Sequence, residues 1–94
     1  MKGRRVDWTP SDTIDYPFPK LKPGEYGKSR DGIWYCCTPS GTEGLFGDLR
    51  LHTITEHEDG TITVTPSILV TVSDKGVITR RYHGFLTNGE WREC

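Results

Sequence analysis

The sequence lacks any long apolar run. A membrane-spanning helix needs about 20 consecutive apolar residues, and no stretch of the 94 residues approaches this, since only 33% of them are hydrophobic. The basic start at residues 1–5 is not followed by the apolar segment that a signal peptide requires. We therefore expect no membrane association and no secretion through a signal peptide.

An excess of charge of one sign is also missing. The chain has 12 Lys and Arg side chains against 13 Asp and Glu, which gives a formal net charge of -1. Proteins that bind nucleic acids through the phosphate backbone usually carry a marked positive excess. The balance of charge therefore argues against nucleic acid as a partner.

Cysteine is scarce and unevenly placed. The chain has three, at Cys36, Cys37 and Cys94. An odd number with two adjacent members does not fit a disulfide framework, and a reducing, intracellular compartment is the simpler inference.

No window shows the 3.6-residue periodicity of an amphipathic helix; residues 61–73 instead alternate with period two. Thr and Ser fill the odd positions, with Leu69 as the one exception, and Pro66 interrupts the run. The apolar even positions are Ile62, Val64, Pro66, Ile68, Val70 and Val72. Alternation of this kind, with many β-branched residues, predicts a half-buried strand that bends at the proline.

Four turn signals divide the chain into hairpins. Asp31-Gly32 and Asn88-Gly89 are dipeptides typical of two-residue type I′ turns, and the second pairs Leu86 with Trp91. Residues 42–48 are predicted to be a loop, with Leu45 and Phe46 directed inward.

The other two turns follow from matching the apolar faces of neighbouring strands. A three-residue loop at 58–60 pairs Ile54 with Val64, whereas a two-residue loop would put apolar residues opposite threonines. The same reasoning gives a three-residue loop at 74–76, which pairs Val72 with Ile78.

These signals predict an all-β protein: a small antiparallel meander of roughly six strands, forming an open barrel or a small sandwich. Residues 25–94 are the single β-domain. Residues 1–24 hold four of the six prolines and are predicted to form an extended N-terminal arm. The predicted buried face comprises Ile54, Ile62, Val64, Ile68, Val72, Ile78, Tyr82, Leu86 and Trp91.

Cys37, His83 and Cys94 are the candidate metal ligands. The Asn88-Gly89 turn makes His83 and Cys94 cross-strand neighbours, and Cys37 could converge on them. A zinc site takes four nitrogen or sulfur ligands at characteristic spacing, whereas this set has three and no spacing motif. The alternative is a pair of buried structural cysteines, with Cys36 on the opposite face from Cys37, and a terminal thiol.

No catalytic constellation is evident. His83 beside Cys94 supplies a base and a thiol but no orienting group. Ser40 and Ser67 are near no histidine that the predicted strands place. No glycine-rich phosphate loop followed by a helix is present.

Arg81, His83 and Phe85 alternate onto one side of a predicted strand, and the predicted register places Leu69 opposite Arg81. An apolar side chain beside a guanidinium and an aromatic ring is a combination enriched at interface cores. These four residues are the candidate binding surface for a protein partner or for self-association. The alternative is that Tyr16 and Phe18 of the N-terminal arm cover this patch within the same molecule.

Two segments resemble a known family. Residues 56–68, which end in Thr65-Pro66-Ser67-Ile68, and residues 82–91, which contain His83-Gly84-Phe85-Leu86, are similar to small uncharacterised proteins of bacteria and tailed bacteriophages, often mislabelled as ammonia monooxygenase. The resemblance covers the larger, C-terminal part of the chain. Members often carry a Cys-Pro-Cys-Gly-Cys-like cluster, from which residues 36–41 depart. The resemblance implies a phage or bacterial origin and no established activity. Together with the reducing compartment that the cysteines indicate, it implies a location in the host bacterial cytoplasm or in a virion.

Two functions are expected. The first is a non-enzymatic phage- or bacteria-encoded β-domain that acts as a protein-interaction or virion-associated module and needs no cofactor. The second is a zinc-binding domain or small metal-dependent hydrolase using Cys37, His83 and Cys94.

Overall fold

The computed structural model describes residues 1–9 and 20–94, and these residues form eight strands and no helix. The strands are β1 (Arg4–Arg5), β2 (Glu25–Lys28), β3 (Trp34–Cys37), β4 (Phe46–Asp48), β5 (Thr53–Glu56), β6 (Ile62–Asp74), β7 (Val77–Thr87) and β8 (Glu90–Glu93). They make two four-stranded sheets, ordered β1-β2-β3-β4 and β5-β6-β7-β8. The all-β prediction is confirmed, and the architecture is two sheets rather than a closed barrel. No membrane-spanning helix is found in the described residues.

The first sheet departs from a purely antiparallel meander, because β1 runs parallel to β2. Residues 42–48, predicted as a loop, contain β4. Leu45 is buried as expected, but Phe46 is 48% exposed and stacks on Tyr35 with ring centroids 5.1 Å apart. The Asp31-Gly32 turn is not type I′, since only Gly32 has a positive φ, 83°.

The second sheet confirms two predicted registers. Ile54 lies opposite Val64, and Leu86 lies opposite Trp91. Gly60, at the end of the three-residue loop, has the left-handed φ of 87° that this loop requires.

The predicted loop at residues 74–76 is wrong. Asp74 pairs with Val77 across a two-residue turn, in which Lys75 and Gly76 both have positive φ. A bulge then shifts the ladder, so that Val72 pairs with Arg80 instead of Ile78.

Pro66 bends β6 as predicted. The ladder with β7 is interrupted between Val64 and Ile68, and Phe85 of β7 faces three residues of β6 there. Val64 and Ile68 are both buried on either side of the interruption. Thr65 and Pro66 are both exposed between them, so the predicted alternation is interrupted at the proline and resumes at Ile68.

The core lies between the two sheets. The first sheet and its loops contribute Tyr26, Trp34, Cys36, Leu45 and Leu49, and the second contributes Ile62, Val64, Ile68, Tyr82, Leu86 and Trp91. Ile54 packs at its margin. Val72 and Ile78, predicted to be buried, are 40% and 58% exposed. The reason is that residues 71–81 are exposed throughout and continue the β6–β7 hairpin past the core; we call these residues the ribbon.

Residues 1–9 are bound along the edges of both sheets. The Gly3 amide donates to the Gly89 carbonyl at 2.7 Å, and the Trp8 amide donates to the Lys28 carbonyl at 2.9 Å. The remainder of the predicted arm is described only from residue 20 onward, and Tyr16 and Phe18 lie outside the described residues.

Candidate interaction surface

One exposed face of the second sheet gathers the residues predicted to bind a partner. Tyr82 and Leu86 of β7 point into the core, and because side chains alternate along a strand, Arg81, His83 and Phe85 point to the other side. Leu69 lies opposite His83, and Phe85 lies opposite Arg92 of β8. Residues opposite each other in adjacent strands share a face. We call this surface the outer face; it comprises Leu69, Arg81, His83, Phe85 and Arg92.

The outer face combines apolar and cationic side chains. Leu69 is 57% exposed and Phe85 is 39% exposed. The Arg92 guanidinium lies 5.9 Å from the centroid of the Phe85 ring, within the range of a cation–π contact. The structure therefore assembles all four predicted binding residues on one surface, although Leu69 faces His83 and Arg81 faces Thr71.

Ser67 and His83 form a contact that the sequence analysis missed. The Ser67 Oγ and His83 Nε2 are 2.9 Å apart, so the expectation that Ser67 has no histidine neighbour is wrong. The predicted register, with Leu69 opposite Arg81, would place Ser67 opposite His83, but it is two residues off. In the structure Leu69 lies opposite His83, and Ser67 reaches the His83 ring diagonally from the interruption of the ladder at Pro66.

His52 holds the backbone of Ser67. Its Nε2 lies 3.2 Å from the Ser67 carbonyl, to which it donates, and its buried Nδ1 has no hydrogen-bond partner in the described part of the chain. Nucleophilic catalysis by serine also needs a group that orients the base, and no described carboxylate hydrogen bonds to His83. The two histidines therefore anchor the Pro66 bulge to its neighbours.

The three candidate metal ligands are not gathered in the described residues. Cys37 belongs to the first sheet, where its Sγ donates to the Glu43 carbonyl at 3.3 Å. Cys94 is exposed, and its amide donates to the His83 carbonyl at 2.9 Å, which confirms their predicted pairing. Residues 1–9 and 20–94 contain no group of three or more His, Cys, Asp or Glu side chains that could hold a metal ion.

Burial controls the chemistry of the two adjacent thiols. Cys36 is fully buried, and desolvation, with a smaller contribution from Cys37, raises its pKa to about 12. Burial also raises the pKa of Cys37, with Glu25 adding to the effect. A thiol of raised pKa is a poor nucleophile and a poor metal ligand at neutral pH.

The ribbon is the second feature that the sequence analysis missed. Arg80 ties its base to the first sheet by donating to the Gly44 carbonyl at 3.2 Å. A shallow depression of about 290 Å³ on the ribbon is lined by Ile78, Thr79, Arg80 and Arg81. The ribbon therefore adds exposed apolar surface, including Val77 at 64% exposure, next to the outer face.

Comparisons of the chain with protein-family models, with curated proteins and with solved structures each found no match. The resemblance to the small bacterial and bacteriophage proteins therefore stays a prediction from the sequence.

Proposed function

We propose that the protein is a non-enzymatic small β-domain, encoded by a phage or a bacterium, that binds a protein partner in the host cytoplasm or in a virion. The observation that carries this proposal is the exposed outer face, on which Leu69 and Phe85 share one side of the second sheet with Arg81 and Arg92.

The composition of this face supports binding. Single exposed apolar residues are normal on soluble proteins, but here the strand register brings Leu69 and Phe85 onto one side of the same sheet. Aromatic and Arg side chains are enriched where protein interfaces exclude water. The absence of an acid that orients His83, within the described residues, favours binding over catalysis at this surface.

Arg81→Glu tests the proposal. The wild-type protein is used as bait in bacterial lysate, and the proteins that it enriches are quantified against the variant by mass spectrometry. We expect capture of the partner to fall by about 10-fold or more, as for loss of an interface Arg worth about 1.4 kcal/mol or more. The melting temperature should stay nearly constant, because Arg81 is exposed.

Arg30→Glu is the matched control. Arg30 lies in the turn between β2 and β3 of the other sheet and is 51% exposed, so the same charge change there should leave capture intact. A fall of several degrees in the melting temperature of Arg81→Glu, with capture unchanged, would contradict the proposal. It would mean that the outer face is covered within the molecule, as predicted for Tyr16 and Phe18.

A further inference from the structure

The edge of β6 that faces away from β7 is unpaired along the ribbon. β5 pairs with β6 only from Thr53 opposite Thr65 to Glu56 opposite Ile62. Beyond the bend at Pro66, no other described strand pairs with this edge of β6. His52 covers the Ser67 carbonyl, and the open edge begins after that residue.

The direction of the backbone groups on this edge follows from two hydrogen bonds. The Ser67 carbonyl accepts from His52 on the β5 side, whereas the Val72 carbonyl accepts from the Thr79 hydroxyl on the β7 side. Backbone groups alternate in direction along a strand. The odd residues Leu69, Thr71 and Ser73 therefore direct both N–H and C=O toward the open edge.

Natural proteins protect such edges with charge, proline or a covering segment. β6 carries no charged residue from Pro66 to Ser73, and its one proline lies before the open part. The β7 edge differs, because Arg80 and Arg81 are adjacent on it. The open β6 edge is thus neutral, rich in β-branched residues and suited to pairing with another neutral strand.

The same segment of a second molecule has these properties. In an antiparallel arrangement about a twofold axis at Thr71, Thr71 faces its own copy and Leu69 faces Ser73 of the second copy. No like charges meet, and threonine pairs across strands are favourable. Twofold self-pairing is also the commonest symmetry of protein assembly.

We infer that a second copy of this chain pairs with the open edge of β6 through the outward backbone groups of Leu69, Thr71 and Ser73, joining two four-stranded sheets into one continuous sheet. This inference names one partner for the proposed interaction module and rests on that proposal. The inferred dimer forms through the backbone edge of β6, whereas the Arg81→Glu experiment tests binding through the side chains of the outer face.

Thr71→Pro tests the inference by sedimentation velocity over a concentration series that extends to the millimolar range. Proline removes the outward N–H of residue 71 and is tolerated on edge strands, while the ladder between β6 and β7 keeps its own bonds. We expect the wild type to move from 10.7 kDa toward twice that mass, and Thr71→Pro to stay monomeric. Thr71→Val keeps the N–H and nearly the same shape, and it should dimerise like the wild type.

Amide hydrogen exchange of the wild type gives a second readout that needs no variant. Exchange at Leu69, Thr71 and Ser73 should slow by 10-fold or more as dimer forms, while exchange at Val70, which faces β7, should be slow at every concentration. A wild type that stays monomeric throughout the series would overturn the inference, and so would dimerisation that Thr71→Pro leaves unchanged. Protection of the odd amides in dilute monomer would also overturn it, because the edge would then be covered within one molecule. Partner capture that depends on Arg81 would survive each of these results, so the two proposals can fail separately.

Discussion

The three thiols of the chain lie in very different surroundings. Cys36 is fully buried and Cys37 is 4% exposed, whereas Cys94 is exposed at the end of the second sheet. Only the thiolate form reacts with alkylating agents, and burial raises the pKa of both Cys36 and Cys37. Low accessibility and a raised pKa therefore both slow the alkylation of Cys36 and Cys37.

Alkylation with iodoacetamide under native conditions should modify Cys94 and leave Cys36 and Cys37 unmodified. Intact-mass spectrometry should show one adduct on the native protein and three after denaturation in urea, which matches the three free cysteines. Rapid native labelling of Cys37 would show that its thiol is accessible and would contradict the described packing. The exposed Cys94 serves as an internal control for reagent activity.

Thr63 has more hydrogen-bond partners than its position in the alternating pattern of β6 would suggest. The period-two alternation marks it as a polar residue on the outer side of β6. In the structure its hydroxyl lies 2.7 Å from His57 Nε2 and also accepts from the Asn88 amide at 3.0 Å. This hydroxyl links two hairpin turns, so Thr63 is a poor representative of a solvent-exposed threonine.

At the level of the strands, the sequence predicted register only where burial distinguishes the two faces. The loops at residues 58–60 and 88–89 join strands with one buried and one exposed face, and their registers are confirmed. The loop at residues 74–76 lies in the ribbon, which is exposed on both faces. A shift of one residue there costs little burial, and the polarity pattern could not exclude the two-residue turn.

Long-range pairing set the other limits of the sequence analysis. The parallel pairing of β1 with β2 joins residues far apart in the sequence, such as Arg4 and Glu25, and no local pattern encodes it. β4 has only three residues, and Gly47 at its centre weakens any strand signal. The outer face could be predicted because it needed only alternation along β7, whereas the contact between His52 and Ser67 depends on the Pro66 bulge.

Val64→Ala tests the confirmed register of β5 and β6. Val64 is 2% exposed and lies opposite Ile54, so truncation should cost about 1–3 kcal/mol of unfolding free energy through lost burial and a cavity. Urea denaturation monitored by tryptophan fluorescence measures this cost. Thr55→Ala is the appropriate control, because Thr55 is exposed on the neighbouring strand and should lose less than about 0.5 kcal/mol. Equal losses at the two positions would contradict the assigned faces.

Across the whole molecule, the C-terminal hairpin joins the two sheets. The Trp91 indole N–H donates to the Gly24 carbonyl at 2.9 Å, and the amino group of Met1 donates to the Trp91 carbonyl at 3.0 Å. Tyr82 packs edge-on against Trp91 with ring centroids 5.8 Å apart. β8 is therefore tied to both the N-terminal segment and the first sheet, and the core depends on this end of the molecule rather than on the ribbon.

The ribbon should be dispensable for folding. Val70, which faces β7, lies opposite Tyr82, so replacing residues 71–81 with Asn-Gly closes the shortened hairpin with a two-residue turn on a hydrogen-bonded pair, as such turns require. None of the residues removed belongs to the core cluster. The main loss is the hydrogen bond from Arg80 to the Gly44 carbonyl, which is worth about 1 kcal/mol and corresponds to a melting temperature lower by about 4–8 °C. Circular dichroism during heating measures this shift, and a chain that no longer unfolds cooperatively would show that the ribbon supports the core.

In sedimentation velocity the shortened protein should stay monomeric at concentrations where the wild type dimerises, because the deletion removes Ser73 and leaves too little open edge to pair. Dimerisation of the shortened chain would place the self-association surface elsewhere on the molecule.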